Sequence, residues 1–584
     1  MRKPDDSDAS EQQYSGTMLS PNIQTERLQL CHELDRAIKS VNAIQARINA
    51  LSPLSRLPVE ILVEIFRCFA AVQEPGSSAN GYARINEKTV PVSRDINLGW
   101  ILVTHVCRRW RHVAIDYAML WTHISFALGS EWTMRMIERS GQAPLVIREF
   151  EVERKFHPDI GEHLRPHLSH VAVFELRLQS YALMEMLAPM VDSAPMLHTL
   201  QLHSSTGEGE LPMVRTQLDL FNQSTPSLRK IILRNVCIPW TSRIFSNLES
   251  LEVTMSIYET DEWFENDMGI EWEPTLPVFL DILQAMPGLK HLILNDAAVP
   301  PATTVLTPNG NRTVSLPNLV RATLMSRPGD VAALLDHLEL PRTTKFKFSS
   351  ADDEHMGDNV NLFASISRHL SRSGAGPSSI TDLLIHDRML SILVTARVAL
   401  AGLKETDETM FSISMSSNLE RLSQTLSSFF STIDFQSLLS LSFVGGYQYA
   451  NAPCWRGILP RLRSVRLLQT SMLGVIPFLE HLNAGTEAVP ALPNLEVISV
   501  PDFWNSVLSL DEPELHAIQE KIFDSLQTRK SRVRALQKLA LWGQGPANFG
   551  SDWIARLHQL VSEITAQPPT LPSESTKSTN LCKQ

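Results

Sequence analysis

A short apolar pattern recurs between residues 195 and 541 of the chain. It consists of a Leu or Ile, two residues, a second apolar residue, one residue, and a third apolar residue. Because alternate side chains of a strand lie on the same face, the second and third positions predict a short strand with one buried face. In six copies a Pro stands two residues before the first position, which predicts a turn that leads into the strand.

Ten copies share this internal spacing, and their first residues are 20 to 61 residues apart. Eight copies are Leu197-x-x-Leu200-x-Leu202, Leu228-x-x-Ile231-x-Leu233, Leu248-x-x-Leu251-x-Val253, Leu289-x-x-Leu292-x-Leu294, Leu438-x-x-Leu441-x-Phe443, Leu462-x-x-Val465-x-Leu467, Leu495-x-x-Ile498-x-Val500 and Leu536-x-x-Leu539-x-Leu541. The two weaker copies are Leu319-x-x-Ala322-x-Leu324 and Ile380-x-x-Leu383-x-Ile385.

Helical patterns lie between the copies, at 276–286, 330–338 and 513–523, and the apolar run 472–479 fits the same place. Strand, loop and helix in repetition is the arrangement of leucine-rich repeats, in which each unit buries its apolar face against its neighbours. An ordinary α/β domain with Leu-rich strands is the alternative, and the shared spacing favours the repeat. The predicted fold class is α/β, with a helical N-terminal part and a leucine-rich-repeat-like strand/helix solenoid over 127–566.

Residues 22–51 have the pattern of one long helix. Apolar residues follow one another at alternating intervals of three and four, which is the coiled-coil spacing. Two interpretations stay open: a helix that pairs with another helix in a dimer, or a helix folded back on the neighbouring domain. The apolar positions are Leu34, Ala37, Val41, Ile44, Ile48 and Leu51.

A second helix is predicted directly after this segment. Ser55 is a suitable N-cap, and Pro58 stands in the first turn, where a helix does not need its N–H. Residues 73–98 break the periodicity and predict a loop, after which the helical pattern resumes at 100–114. One apolar line of the second helix comprises Leu57, Ile61, Ile65 and Phe69, with Leu62 and Phe66 beside it.

Three motifs follow one another between residues 52 and 126. They are Leu57-Pro58-x-Glu60-Ile61-Leu62-x-x-Ile65-Phe66, Val106-Cys107-Arg108-Arg109-Trp110 and Leu120-Trp121. In these residues and in their order the segment resembles the F-box family. The family signature is Leu-Pro-x-Glu-Ile-Leu-x-x-Ile-Phe, then Val-Cys-(Arg/Lys)-x-Trp, and commonly a closing Leu-Trp pair. The inserted loop at 73–98 departs from this signature, and similar insertions are familiar among fungal F-box proteins.

The resemblance implies an F-box over 52–126 that docks to a Skp-family adaptor on a cullin scaffold. The repeat region would hold a client protein, so the chain would be the substrate-recognition subunit of an SCF-type ubiquitin ligase. Such a subunit positions a client for chemistry done elsewhere, and we expect neither catalysis nor a cofactor. The implied adaptor-binding residues are Leu57, Pro58, Ile61, Leu62, Ile65, Phe66, Val106, Cys107 and Trp110.

Two alternatives to this function stay open. The first is an F-box and repeat scaffold protein that binds partners without ligase output. The second is an enzyme whose site lies within residues 130–570. Neither alternative is distinguished from the ligase subunit by a motif of the sequence.

Composition narrows the class of partner and the compartment. The chain has 584 residues, 43% of them apolar, which predicts about two to four structural units rather than disorder. A net charge of −11 disfavours general attraction to nucleic acid or anionic lipid. Six scattered cysteines and the lack of an apolar leader or of a membrane-length apolar run predict a cytoplasmic or nuclear protein. Residues 1–21 and 567–584 have the composition of disordered tails.

Several patterns associated with enzymes are better explained by structure. His163, His167 and His170 would share a helix face, but Pro166 interrupts that helix and no further ligand completes a metal site. The Gly-rich segment 543–550 lacks the Gly-Lys-Ser/Thr ending of a phosphate loop and is typical of a turn after a strand. We therefore expect no metal site.

An acidic segment at 258–273 interleaves seven carboxylates with aromatic residues. It could capture a basic client peptide, with aromatic side chains supplying contact area and carboxylates supplying attraction. The favoured alternative is a solvated insertion whose aromatic residues pack on the repeats. The candidate client-binding residues are Trp263, Phe264 and Trp272.

Overall fold

In the computed structural model the chain divides into two compact units, residues 1–145 and 146–584. Among the described residues, no helix is long and apolar enough to cross a membrane. The structure describes residues 21–77, 82–85, 88–91, 96–126, 128–150, 159–205, 213–255, 275–296, 298–302, 312–341, 343–349, 358–371, 379–388, 391–399, 409–416, 419–484, 490–503, 506, 511–542 and 551–565. The predicted disordered tails lie outside these residues, apart from the first residue of the long helix.

The first unit is mainly helical. Its helices are α1 (Pro21–Ala50), α2 (Val59–Val72), α3 (Arg108–Asp116) and α4 (Ser130–Ser140), with 3-10 helices at Pro53–Arg56, Gly99–His105 and Ala118–Trp121. Its short strands are β1 (Gly76–Ser77), β2 (Tyr82–Ile85), β3 (Lys88–Pro91), β4 (Ile96–Asn97) and β5 (His123–Ile124).

Helix α1 corresponds to the long helix predicted over 22–51. Its six apolar positions at coiled-coil spacing are all exposed to solvent. The same spacing continues toward the N-terminus through Leu30 and Ile23, which are exposed as well. An apolar stripe of this length is therefore left open along most of the helix.

The insertion at 73–98 contains strands, which corrects the prediction of a loop. Strand β1 pairs antiparallel with β4, and β2 pairs antiparallel with β3. The N–H of Trp100 donates to the carbonyl of Gln73 at 2.8 Å, so the two ends of the insertion lie together. Gly99 has a φ of +55°, and a Cβ there would lie 2.6 Å from the Gln73 carbonyl oxygen, so this close approach requires glycine. Helical periodicity alone gave no sign of the strands because they are short.

The second unit alternates strands and helices. Strand β6 (Leu145–Phe150) begins at the boundary, followed by β7 (Val171–Gln179), β8 (Thr199–Ser205), β9 (Val214–Arg215), β10 (Lys230–Arg234), β11 (Val236–Cys237), β12 (Ser250–Met255), β13 (His291–Asp296), β14 (Val314–Ser315), β15 (Arg321–Met325), β16 (Leu338–Glu339), β17 (Lys345–Ser349), β18 (Ser379–Arg388), β19 (Ser391–Ala399), β20 (Thr409–Ser416), β21 (Ser440–Val444), β22 (Leu467–Thr470), β23 (Val497–Val500), β24 (Lys538–Leu541) and β25 (Glu563–Thr565).

The helices of this unit lie between the strands, where the sequence predicts them at 276–286, 330–338, 472–479 and 513–523. They are α5 (Asp159–Leu164), α6 (Ser180–Leu187), α7 (Leu276–Gln284), α8 (Pro328–Asp336), α9 (Asp358–Ser371), α10 (Leu419–Thr432), α11 (Tyr447–Ala450), α12 (Trp455–Ile458), α13 (Met472–Asn483), α14 (Glu512–Arg532) and α15 (Ser551–Leu557). Short 3-10 helices occur at Arg165–His170, Leu220–Gln223, Arg243–Phe245 and Leu459–Arg461.

Most of the strands form one hydrogen-bonded ladder. Neighbours are parallel except for β19, which runs antiparallel to β18 and β20. Alternate residues of most parallel strands are buried on the side of the connecting helices, so the core lies between the strands and those helices. The order is β7, β8, β10, β12, β13, β15, β17, β20, β19, β18, β21, β22, β23, β24 and β25.

The register of the ladder corrects one of the ten copies. Leu441 of β21 lies opposite Leu468 of β22, and Leu468 lies opposite Ile498 of β23. The copy that continues these buried rows is Val465-x-x-Leu468-x-Thr470, three residues later than the predicted one. Leu467 is half-buried and lies on the other face, because a strand alternates its faces at every residue.

Two further strands continue the same rows without a leading Leu or Ile. Phe174 and Leu176 of β7 lie opposite Leu200 and Leu202, and Phe346 of β17 lies opposite Ala322. Their apolar residues are buried like those of the predicted copies. A search for a leading Leu or Ile misses them, whereas the buried alternation would find them.

Candidate adaptor-binding site

Helix α2 has one apolar side in the core of the first unit. Leu62 and Phe66 lie on successive turns and have no exposed surface (0%). The ring of Phe66 lies 5.2 Å from the indole of Trp110 in α3, at a tilt of 59°. This contact joins the second helix of the sequence motif to the first and contributes about 1 kcal/mol beyond the area that it buries.

A second apolar side of α2 faces solvent. Ile61, Ile65 and Phe69 are 49%, 43% and 36% exposed, at intervals of four residues that place them on one line. Val72 extends this line at 81% exposure. The charged side of the helix is narrow. It includes Glu64 and Arg67, which form an ion pair with each other at 2.9 Å. The helix is thus apolar over more of its circumference than its own unit covers.

Arg109 of α3 holds the start of the first motif in place. Its guanidinium donates hydrogen bonds to the backbone carbonyls of Ser55 and Leu57. These two carbonyls precede α2, so the bonds fix the chain where it turns into the helix at the exposed residue Pro58. Charge-assisted bonds of this kind contribute about 1.5–3 kcal/mol each when a carbonyl would otherwise lack a partner.

The second motif contributes exposed apolar surface before α3 begins. Val106 is 59% exposed, and Leu102 in the preceding 3-10 helix is 47% exposed. Cys107 is the residue before α3 and is half-buried, as is Trp110. Arg111 donates from Nε to the carbonyl of Thr104 at 2.7 Å, which ties α3 to the 3-10 helix.

The closing Leu-Trp pair has a structural role. Trp121 is fully buried, its Nε1 donates to the carbonyl of Ala114 at 2.7 Å, and its ring meets Trp100 edge-on at 4.8 Å. The guanidinium of Arg139 in α4 lies 4.3 Å above the Trp121 ring. Partial burial and the nearby Arg135 lower the pKa of Arg139 from its ordinary value.

The nine residues expected to bind the adaptor therefore separate by burial. Pro58, Ile61, Ile65 and Val106 are exposed, and Leu57, Cys107 and Trp110 are half-buried. Leu62 and Phe66, which are also expected to contact the adaptor, are wholly buried in the free chain and lie beneath the exposed line. The exposed residues Leu54, Phe69, Val72 and Leu102 are absent from the expected set and border the same elements. Projecting α2 at 100° per residue from the sequence would have separated its two apolar sides.

Other candidate sites of the sequence differ from this arrangement. His163 lies on α5, where its Nδ1 is 2.5 Å from the backbone carbonyl oxygen of Asp159. The rings of His167 and His170 meet edge-on, with their centroids 5.3 Å apart. Burial lowers the pKa of both His167 and His170. Within the described residues no group of three or more His, Cys, Asp or Glu could hold a metal ion. The acidic segment 258–273, with Trp263, Phe264 and Trp272, and the Gly-rich segment 543–550 lie outside the described residues.

Comparison with known proteins identifies the first unit. Residues 54–127 match the model of the F-box-like family. The chain therefore contains an F-box-like domain, as the three motifs predict, with bounds within two residues of those expected. Domains of this family generally bind Skp-family adaptors. No curated protein matches the chain.

Proposed function

We propose that this protein is the substrate-recognition subunit of an SCF-type cullin–RING ubiquitin ligase. The F-box-like domain docks to a Skp-family adaptor, which is carried by the cullin, and the second unit holds a client protein. The protein itself catalyses no reaction and acts in the cytoplasm or nucleus. The observation that carries the proposal is the exposed apolar line of α2 within a domain whose family binds such adaptors.

The exposed apolar surface supports a dock at α2. Ile61, Ile65, Phe69 and Val106 each keep between a third and two thirds of their surface open in the free chain. Burial of a side chain of this size contributes about 1.5–3 kcal/mol when it is complete, so these four partial burials together favour binding by several kcal/mol. Leu62 and Phe66 act from below, since they hold α2 in the orientation that exposes the line.

The client-holding unit is proposed to be a leucine-rich-repeat-like solenoid. The in-register parallel ladder and the helix that follows many of its strands support this assignment. Side chains reinforce it between successive units: the amide of Asn318 donates to the carbonyl of Pro287 at 3.0 Å, and that of Asn494 donates to the carbonyl of Arg463 at 2.9 Å. Such an array offers an extended strand face on which a client can lie.

Helix α1 is proposed to pair with the same helix of a second copy. Ile23 and Leu30 are exposed and lie on one stripe with the six positions predicted from sequence, among them Leu34 and Val41. The whole stripe spans about four heptads. Replacing Val41 and Ile44 by Glu should convert a dimer into a monomer in sedimentation equilibrium. Lys39 and Arg47 are exposed and lie outside the six apolar positions, so replacing them by Glu is the control for added negative charge. This control should retain more dimer than the variant at Val41 and Ile44. A wild-type chain that is monomeric at tens of micromolar would contradict the pairing.

The adaptor assignment is tested by co-purification. Ile61→Ser together with Ile65→Ser should abolish recovery of the Skp-family adaptor, because the change removes exposed apolar surface and leaves the core intact. Leu473→Ser changes an exposed apolar residue at the start of α13, is the control and should recover the adaptor normally. Equal recovery with both variants would refute the docking surface.

Ligase output requires a separate readout. Ubiquitination of a client bound by the second unit should be lost in the Ile61→Ser, Ile65→Ser variant while client capture persists. If the adaptor binds and the captured client is never ubiquitinated, the protein is a scaffold rather than a ligase subunit. An enzymatic activity that survives deletion of residues 52–126 would instead favour the enzyme alternative.

A further inference from the structure

The outward face of the ladder carries a row of cations. Lys230 of β10, His291 of β13, Arg321 of β15 and Lys345 of β17 occupy the same register position on successive strands, with Ser250 of β12 between the first two. Lys347 lies two residues further along β17, on the same face. We call Lys230, His291, Arg321, Lys345 and Lys347 the basic strip.

Within the described part of the chain, most of the charge on the basic strip is not neutralised by ion pairs. Lys230, Arg321, Lys345 and Lys347 are exposed, and within the described residues none of them forms an ion pair. Neighbouring cations behave differently. Arg234 pairs with Glu252 at 2.8 Å, and Lys290 pairs with Glu249 at 2.7 Å. The strip is therefore distinct from the paired charges around it.

The arrangement is costly unless an anion occupies it. Arg321 and Lys345 stand directly opposite each other on adjacent strands, where like charges are destabilising. The net charge of −11 makes such a cluster unexpected from composition. The positive field is also felt by His291, whose pKa is lowered by partial burial and then by Arg321, Lys290 and Lys230.

An open cleft of about 390 Å³ lies at the start of these strands. Arg229, Lys290 and Glu249 line it together with Asn247, Gly288 and Asn318. Arg229 and Lys290 immediately precede Lys230 and His291 in the chain, so the cleft adjoins the row of cations. A peptide that lies on the basic strip therefore has this cleft beside it, and the cleft can receive one side chain of the peptide.

We propose that the basic strip binds an extended acidic segment of the client protein. The role of this ligand as a client rests on the proposed function. Four strand spacings of about 4.8 Å separate β10 from β17, or roughly 19 Å, which an extended peptide covers with about six residues. Asp or Glu at alternate positions of such a segment would face the cations of the row.

The outward residues favour a peptide over a nucleic acid. At the described outward positions of β10 to β17 there is no Phe, Tyr or Trp on which a base could stack. Ile293 lies between the cations and is half-buried, so it offers apolar contact to a peptide side chain.

The test is a titration of the full chain with a labelled peptide of about twelve residues that alternates Asp and Ser. The same peptide with Asn in place of Asp is the uncharged ligand. Fluorescence anisotropy should show binding of the Asp peptide only. Arg321→Gln together with Lys345→Gln should weaken that binding by about tenfold, because two charge contacts with the peptide are removed.

A matched variant controls for lost charge elsewhere on the unit. Arg463→Gln together with Arg466→Gln removes two exposed arginines near β22 and should change the affinity by less than about twofold. Equal affinities of the wild type and the Arg321→Gln, Lys345→Gln variant would overturn the proposal. So would tighter binding of a single-stranded oligonucleotide than of the Asp peptide.

One further variant decides whether the chain supplies its own anion. Replacing the seven carboxylates within 258–273 by amides should leave the affinity for the Asp peptide unchanged. A large gain in affinity would assign the strip to that segment and overturn the client assignment. Adaptor recovery is measured on the same samples. If the adaptor is recovered but the Asp peptide fails to bind, only the proposal for the basic strip is refuted. If the Asp peptide binds but the adaptor is not recovered, only the proposed function is refuted.

Discussion

The exposed line of α2 and the basic strip present opposite chemistries to their partners. The α2 line is built from Ile61, Ile65 and Phe69 with buried residues directly beneath it, whereas the strip is built from cations on successive strands. Apolar contact depends on area and shape and is insensitive to salt, while charge contact is screened over about 8 Å at physiological ionic strength. The two proposals together predict a salt-insensitive dock at one unit and a weaker, salt-dependent capture at the other.

The largest effect is expected within α2 itself. Phe66→Ala should lower the local free energy of unfolding by about 3–5 kcal/mol, because it leaves a cavity beside Trp110. Ile65→Ala should cost no more than about 1 kcal/mol, since that side chain is 43% exposed. Amide exchange of α2 in the full chain measures both. If the two variants lower the free energy of unfolding by similar amounts, the distinction between a buried, supporting side of α2 and an exposed, contacting side is wrong.

The next effect concerns the clamp from α3. Arg109→Met should weaken adaptor binding by about tenfold, because two carbonyls before α2 lose their donor and the start of the helix is released. Arg108→Met removes an exposed charge from the same helix and should leave the affinity within about twofold. If the two substitutions have the same effect, positive charge rather than the clamp matters to the adaptor.

Salt should separate the two surfaces. Raising sodium chloride from about 50 to about 300 mM should weaken the acidic peptide by about tenfold and change adaptor affinity by less than about twofold. Calorimetry on the same preparation gives both constants. A steep salt dependence of adaptor binding would mean that charge, and not the apolar line, dominates the dock.

The smallest effect is a pH dependence of peptide binding. The pKa of His291 lies below its ordinary value of 6.5, so the side chain is neutral at pH 7.5. A bound carboxylate favours the protonated form, and hence the peptide should bind about two- to threefold more tightly as the pH falls below about 6.5. The charged groups that act on His291 are Arg321, Lys290 and Lys230, and the ion pair with Lys290 lowers the pKa of the neighbouring Glu249. His291→Gln should flatten the profile, and an unchanged profile would exclude His291 from the strip.

Much of the helical unit could be predicted from sequence because its motifs are local. Leu57-Pro58 with the apolar residues after it predicts α2. In the structure Arg109 donates to the carbonyl of Leu57 just before α2, and Trp110 packs against α2 itself. What local spacing cannot supply is which apolar side of a helix is covered. Leu62 and Ile61 are alike in the sequence, and only the packing of α3 decides that one is buried and the other exposed.

The strand unit shows a different limit. Rows of buried residues run across strands that are far apart in sequence, so the register that makes Leu468 rather than Val465 the partner of Leu441 is a long-range property. Phe174 and Phe346 occupy the same rows without matching the leading residue of the pattern. The basic strip belongs to this class as well, since Lys230 and Lys345 are neighbours in a row only once the ladder forms.

Hydrogen exchange of the full chain with and without a purified Skp-family adaptor tests the docking claim most directly. Adaptor binding should slow exchange in peptides covering 59–72 and 99–107, while peptides covering the basic strip should exchange as before. Protection confined to the strand unit, or no change at 59–72 in a complex that demonstrably forms, would contradict the assignment of α2 as the adaptor-binding surface.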